Sequence, residues 1–168
     1  MMLAPPDALV KLCEPWNHFY SNSKLAVTAV TFLHTGGMLL AGGFAIAADR
    51  ATLRALKYPA SERARTMAEL AAVHRWVIAG LAIIVASGIA QLASDLESFW
   101  GSWIFWTKLT FVAVLLANGY WMTRLEVGLR VKPDDSSPAW KTLGVVAKTS
   151  MVLWFATAFV GIALENFA

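Results

Sequence analysis

Four long apolar segments, at about 24–48, 70–94, 102–123 and 142–164, divide the chain. As helices that rise about 1.5 Å per residue, all four are long enough to cross a hydrocarbon layer of roughly 30 Å. No segment alternates between apolar and polar residues as a membrane β-strand does, and backbone polar groups in lipid must be bonded internally. The pattern therefore predicts one all-α domain, an integral membrane four-helix bundle.

The composition agrees with a membrane protein. Hydrophobic residues make up 58% of the 168 residues, and the mean hydropathy is +0.56, which is unusual for a soluble domain. The single cysteine, Cys13, excludes an intrachain disulfide, a cysteine-based zinc site and a self-contained iron–sulfur cluster. Although the formal charge is +3, the basic residues lie between the apolar segments rather than along one soluble face. We therefore predict the lipid bilayer as the main partner and no nucleic acid.

Arginine and lysine are unevenly distributed among the connections. The connection 49–65 contains five basic residues, 124–141 contains four, and 95–102 contains none. By the positive-inside rule, the two basic connections are cytoplasmic, and both termini lie on the non-cytoplasmic side. The expected location is the cytoplasmic (inner) membrane of a bacterium.

The N-terminal segment 1–22 is amphipathic rather than uniformly apolar. It lacks the basic start and apolar core of a signal peptide. Leu9, Trp16 and Phe19 recur at helical spacing, which predicts a helix in the membrane interface, broken or kinked at Pro15.

The first apolar segment contains one imidazole, His34, near its middle. A titratable ring at that depth is costly, so it is a candidate functional group. The alternative is a structural histidine, whose neutral ring is hydrogen-bonded across the bundle. Small residues share its helix face, namely Gly37, Ala41, Ala45 and Ala48. This stripe favours either the close approach of a second helix or room for a flat cofactor beside the imidazole.

Depth along the helices predicts which polar groups act together. His34 lies about 15 Å from the start of its helix and Lys108 about 9 Å from the start of its own, on the same side. Both are therefore expected to line one pocket, although Lys108 could instead extend to the lipid headgroups. His74 and Arg75 enter from the cytoplasmic side, and His74 differs in level from His34 by roughly 10 Å. An axial pair of His34 and His74 would need a kinked or deeper helix.

Three short motifs resemble those of small bacterial membrane proteins of the copper-resistance D-type and HemJ-type group. They are Phe32-Leu33-His34 in the first span, Ala72-Val73-His74-Arg75 opening the second, and Trp106-Thr107-Lys108-Leu109 opening the third. The resemblance covers about three helices. In the HemJ-type protoporphyrinogen oxidases, a first-helix histidine and a third-helix lysine are associated with b-type haem and porphyrinogen oxidation. The resemblance implies that His34 and Lys108 have these roles.

The leading functional prediction is a membrane protein that binds haem b and has a redox role, in electron transfer or porphyrinogen oxidation. His34 is the first candidate iron ligand and His74 the second, with Arg75 and Lys108 as charge partners. The alternative is a non-catalytic accessory subunit of a larger respiratory or photosynthetic membrane complex, or a homo-oligomer. Copper handling is a third hypothesis, because His34 and Met38 are four residues apart and imidazole with thioether suits copper(I).

Overall fold

The computed structural model describes residues 4–131 and 136–167. Within these ranges the chain forms helices and turns and no strand, which confirms the all-α prediction. The helices are α1 (Asp7–Asn22), α2 (Lys24–Ala55), α3 (Ala60–Ser94), α4 (Leu96–Gly101), α5 (Trp103–Val131) and α6 (Ala139–Phe167). Helices α2, α3 and α6 are long and apolar enough to cross a membrane.

Helix α5 has the same length as α6, 29 residues, but it is not among the helices apolar enough to be candidate spans. Lys108 and Asn118 lie in its apolar part and lower its mean hydropathy. Three spans therefore follow from length and composition, and a fourth span through α5 stays a prediction.

The helices extend beyond the predicted spans. Helix α2 continues past the predicted end at residue 48 to Ala55, and α3 begins at Ala60 instead of near residue 70. The first basic connection is therefore mostly helical, with a tight turn between the two helices. Hydropathy marks where the apolar surroundings end, whereas alanine, leucine, arginine and glutamate continue a helix into water. Part of the second basic connection, residues 132–135, lies outside the described residues.

Each of the four long helices contacts two of the other three. Helix α2 contacts α3 and α6, and α5 contacts α6 and α3. Helices α2 and α3 approach most closely at Gly80, where an added Cβ atom would lie 2.8 Å from the backbone nitrogen of Ala41. Gly37 faces Ile83 of α3 in the same way. Gly37 and Ala41 of the small-residue stripe therefore pack against α3.

Helix α1 packs against the end of α3. It runs without a break through Pro15, so of the two predicted alternatives, a break or a kink, the break is wrong. The Trp16 Nε1 atom donates a hydrogen bond to the Ala90 carbonyl (2.8 Å), and Asn17 Nδ2 donates to the Ser94 carbonyl (2.7 Å). These tertiary contacts stabilise the helix despite the backbone bond that proline cannot donate.

The short helix α4 marks one end of the molecule, where α2 and α5 start and α3 and α6 end. We call it the α4 end, and we call the opposite end, with the two basic connections, the basic end. Asp95 caps α4 by accepting a hydrogen bond from the Ser98 amide at 3.4 Å. Apolar clusters fill the interior at both ends, around Phe105 at the α4 end and around Leu143 at the basic end.

Candidate functional site

His34 lies in the interior between α2 and α3, with 9% of its surface exposed. Its Nδ1 atom is 3.0 Å from the Ser87 hydroxyl oxygen of α3. The Ser87 hydroxyl donates its own hydrogen to the Ile83 carbonyl at 2.6 Å. With the hydroxyl hydrogen assigned to this short contact, the Ser87 oxygen accepts from His34, which favours the tautomer with the proton on Nδ1.

The other ring nitrogen of His34 is then left with a free lone pair. His34 Nε2 is fully buried and has no hydrogen-bond partner among the residues described. A buried acceptor without a partner is costly in a folded protein. An imidazole whose one nitrogen donates to a fixed oxygen while the other keeps its lone pair is arranged like a metal-binding histidine. His34 Nε2 is thus a buried imidazole nitrogen that has no partner among the described residues.

Gly88 makes room for the His34 ring. A Cβ atom on Gly88 would lie 3.3 Å from His34 Cε1, closer than ordinary van der Waals contact. The glycine follows Ser87 directly in α3, so the residue that orients the ring and the residue that accommodates it are adjacent. Ser87 and Gly88 of α3 therefore hold the His34 ring from the side opposite to α2.

Lys108 of α5 lies at the same level as His34. The two residues line the same three neighbouring cavities, of about 220, 310 and 300 Å³. Counting residues along the helices predicted that His34 and Lys108 line one pocket, and both residues do border these cavities. Glu165 of α6 lines one of these cavities with Lys108, and Gly161 leaves space beside the lysine, since an added Cβ would lie 3.6 Å from its Nζ atom.

The walls of these cavities are mostly apolar and reach the outer surface between α3 and α5. Ile84, Phe105 and Val112 line the interior part. Val85 of α3 and Leu109 of α5 line the same space and are themselves exposed on the outside of the molecule. Helices α3 and α5 also contact each other much less than α2 contacts α3. The cavity beside His34 is therefore bordered by the apolar outer surface between α3 and α5.

His74 and Arg75 are not brought to this site. His74 Nε2 lies 3.6 Å from Glu126 Oε2 at the basic half of the molecule, and it lines a different cavity, of about 270 Å³. Among the four cavities formed by described residues, none is lined by both His34 and His74. The Arg75 side chain is exposed and lies over the Trp76 ring, with 5.4 Å between the guanidinium carbon and the ring centre.

Sequence reasoning missed two buried acids, Asp49 and Glu126, which are 2% and 1% exposed. The sequence pattern assigned both residues to the basic connections 49–65 and 124–141. The charged residues there served only to predict which side of the membrane each connection lies on. Helical periodicity was the available signal, since Asp49 is four residues beyond Ala45 and continues the small-residue face of α2. Only the packing of α6 against α2, and of α5 against α3 and α6, shows that these acids are inside.

The donor set at His34 fits a haem better than a free metal ion. Within residues 4–131 and 136–167, no group of three or more histidine, cysteine or acidic side chains could hold a metal ion. A haem iron needs only an axial side chain from the protein, because the porphyrin supplies the in-plane ligands. The residues present at this site are one buried imidazole nitrogen, apolar walls and a nearby cation.

Comparison with known proteins leaves the family open. No protein-family model, curated protein or solved structure matches this chain. The functional interpretation therefore depends on the chemistry of the residues around His34 and Lys108.

Proposed function

We propose that this chain is a membrane protein that binds haem b and has a redox role, with His34 Nε2 as the axial ligand. The observation that carries the proposal is the buried Nε2 atom, which has no hydrogen-bond partner among the described residues while Nδ1 lies 3.0 Å from the Ser87 hydroxyl. A hydrogen bond to the far nitrogen fixes the ring and raises its basicity as a ligand. When bound, haem b would supply one-electron redox chemistry.

Lys108 is proposed to hold an anionic group of the cofactor or substrate. Its ammonium group belongs to the same cavities as His34, and propionate groups of a porphyrin are anionic. Glu165, which lines one of these cavities, can orient the lysine when no anion is bound. The chain thus provides a ligand nitrogen on α2 and a cation on α5 on the two sides of one apolar space.

Porphyrinogen oxidation and electron transfer are both compatible with this site. A porphyrinogen is a large apolar ring with acidic side chains, so it suits a cavity that opens towards lipid and contains a cation. Val85 and Leu109 at the rim give such a substrate an apolar path to Lys108. An electron-transfer role would need only the haem itself.

The absorption spectrum of the purified full-length protein tests the proposal. A Soret band with α and β bands on reduction, and iron in near-equal amount to protein, is the expected result. Copper is a second candidate, because Met38 lines one of the cavities with His34. Bound copper without a Soret band would replace the haem proposal, and copurification with other subunits without any pigment or metal would support the accessory role.

We propose a topology with α5 as the fourth span, both termini outside the cytoplasm, and the basic end inside, in a bacterial inner membrane. The support is the asymmetry of basic residues between the connections. In a Cys13→Ser background, we expect Ser98→Cys to react with an impermeant thiol reagent added to the periplasm. We expect Ser136→Cys to react only after the membrane is opened. Labelling of Ser136→Cys from the periplasm would reverse this topology.

Replacement of His74 is expected to leave the haem ligation unchanged. His74 Nε2 faces Glu126 and not the His34 cavities, so His74→Ala should keep the spin state of the ferric haem and at most shift its reduction potential. Ferric absorption and electron paramagnetic resonance spectra of the variant provide the measurement. A loss of low-spin character would instead make His34 and His74 the axial pair.

A further inference from the structure

A second polar group is buried in the basic half of the molecule, away from His34. Asp49 of α2 and Glu126 of α5 are 2% and 1% exposed. One oxygen of each carboxyl, Asp49 Oδ2 and Glu126 Oε2, is fully buried and has no hydrogen-bond partner among the described residues. Two carboxylates in this position would repel each other and would each lose their hydration, so a compensating positive charge is needed.

The surrounding helices supply little positive charge. His74 of α3 is 3.6 Å from Glu126 Oε2, which is a pairing distance when the imidazole is protonated. Arg130 of α5, one turn from Glu126, donates from Nε to the Glu126 backbone carbonyl at 3.4 Å, and its charge also acts on the Glu126 carboxyl and on His74. Helix α6 contributes Ser150, a neutral hydroxyl that interacts with Asp49. Asp49 itself therefore has no cation beside it in the part of the chain that is described.

Asp49 also lines an internal space. Together with His74 and Ser150 it borders the cavity of about 270 Å³, whose other walls are mainly apolar. The cavity reaches the outside between α3 and α5, where Ile78 and Tyr120 on its lining are 65% and 66% exposed. Asp49 thus borders a space that opens to the outside, while its unpaired Oδ2 atom is itself buried.

The oxygen atoms around Asp49 are too few for a metal cation. Hard cations such as Ca²⁺ and Mg²⁺ take about six or more oxygen ligands. Here the carboxyl and the Ser150 hydroxyl are the polar groups at Asp49, and the Thr52 hydroxyl is directed at the Met67 sulfur, 4.0 Å away. A proton needs a single oxygen, and it removes the uncompensated charge.

We propose that Asp49 and the Glu126–His74 pair form a second site, distinct from the His34 site, that binds and exchanges protons with the surroundings. On release, the Asp49 carboxylic acid gives a carboxylate and a proton that passes to water through the cavity, and no electron moves. Glu126 and His74, whose facing atoms lie 3.6 Å apart, form a coupled pair that binds a second proton. This inference does not depend on haem binding.

The test uses dicyclohexylcarbodiimide, an apolar reagent that reacts with carboxylic acids in their protonated form. Full-length purified protein is treated over a range of pH, and the modified residues are identified by peptide mass spectrometry. We expect modification of Asp49 that declines as the pH rises, and little at the exposed Glu97 of α4. No modification of Asp49 at any pH would overturn the proposal. Protection of Asp49 by sodium at constant pH would also overturn it, in favour of a sodium site.

A variant tests whether the two acids act as one site. Glu126→Gln should move the pH at which Asp49 is half modified by about one unit or more, since strongly interacting groups titrate together. The matched control Glu97→Gln, far from the site on α4, should leave that pH unchanged. If folded Glu126→Gln protein shows no change in the pH at which Asp49 is half modified, Glu126 is not part of the Asp49 site. If this variant does not fold, the pH dependence and sodium response of the unmodified chain still decide the proposal.

Discussion

His34→Ala is expected to remove at least half of the bound haem and to leave the helices in the membrane. The variant deletes the only proposed axial ligand, and haem retention depends on that bond. It also removes a buried nitrogen that has no partner among the described residues. The Ser87 hydroxyl, which loses its contact with the ring, keeps its hydrogen bond to the Ile83 carbonyl. Haem content per protein, measured by the pyridine haemochrome method after purification, gives the result.

The matched control is His18→Ala, the same substitution at an exposed histidine of α1. This variant should retain the haem content and reduction potential of the unmodified protein. Normal haem occupancy in His34→Ala, with an unchanged spectrum, would reject His34 as the ligand. Equal losses in both variants would point to a general effect on folding.

Gly80→Ala is expected to cause the largest loss of stability among single methyl additions. The new Cβ atom would lie 2.8 Å from both the backbone nitrogen and the Cβ atom of Ala41. Backbone atoms cannot rotate away, so α2 and α3 would have to move apart, which costs about 1–3 kcal/mol or more in a packed interior. Thermal unfolding of the detergent-purified protein, followed by circular dichroism and by the monodisperse fraction, measures the effect.

The same variant should also weaken the His34 site. Ala41 and Gly80 lie about two helical turns from His34 and Ser87, respectively, so a wider gap between α2 and α3 stretches the hydrogen bond between the ring and the hydroxyl. A lower haem content in the folded fraction of the variant is expected.

Gly43→Ala provides the control on α2. A Cβ atom there would meet no described atom within 4 Å outside its own stretch of helix. Its effect should be neutral or stabilising by up to about 1 kcal/mol, because alanine favours a helix more than glycine does. Destabilisation of Gly43→Ala to the same extent as Gly80→Ala would mean that the close approach of α2 and α3 is not what makes Gly80 sensitive.

Much of the framework could be predicted from hydropathy alone. Length and apolar content gave the all-α class and the positions of the long helices, because crossing lipid requires continuous internal hydrogen bonding. Counting residues along helices also placed His34 and Lys108 at one level, because the rise per residue is constant. The helices extend beyond the predicted spans to Ala55 and Ala60, since the transition from lipid to water does not stop a helix.

The sequence by itself determined that the chain has long apolar helices and that a histidine lies deep within one of them. The tertiary structure decided the rest, because burial and pairing depend on which faces of separate helices meet. It shows that Ser87 fixes the His34 ring and that His74 faces Glu126 instead of His34. It also shows Asp49 inside rather than in a solvated connection, since α2 continues as a helix and α6 covers that face with Ser150. Contacts of this kind join residues far apart in the chain, and no local pattern encodes them.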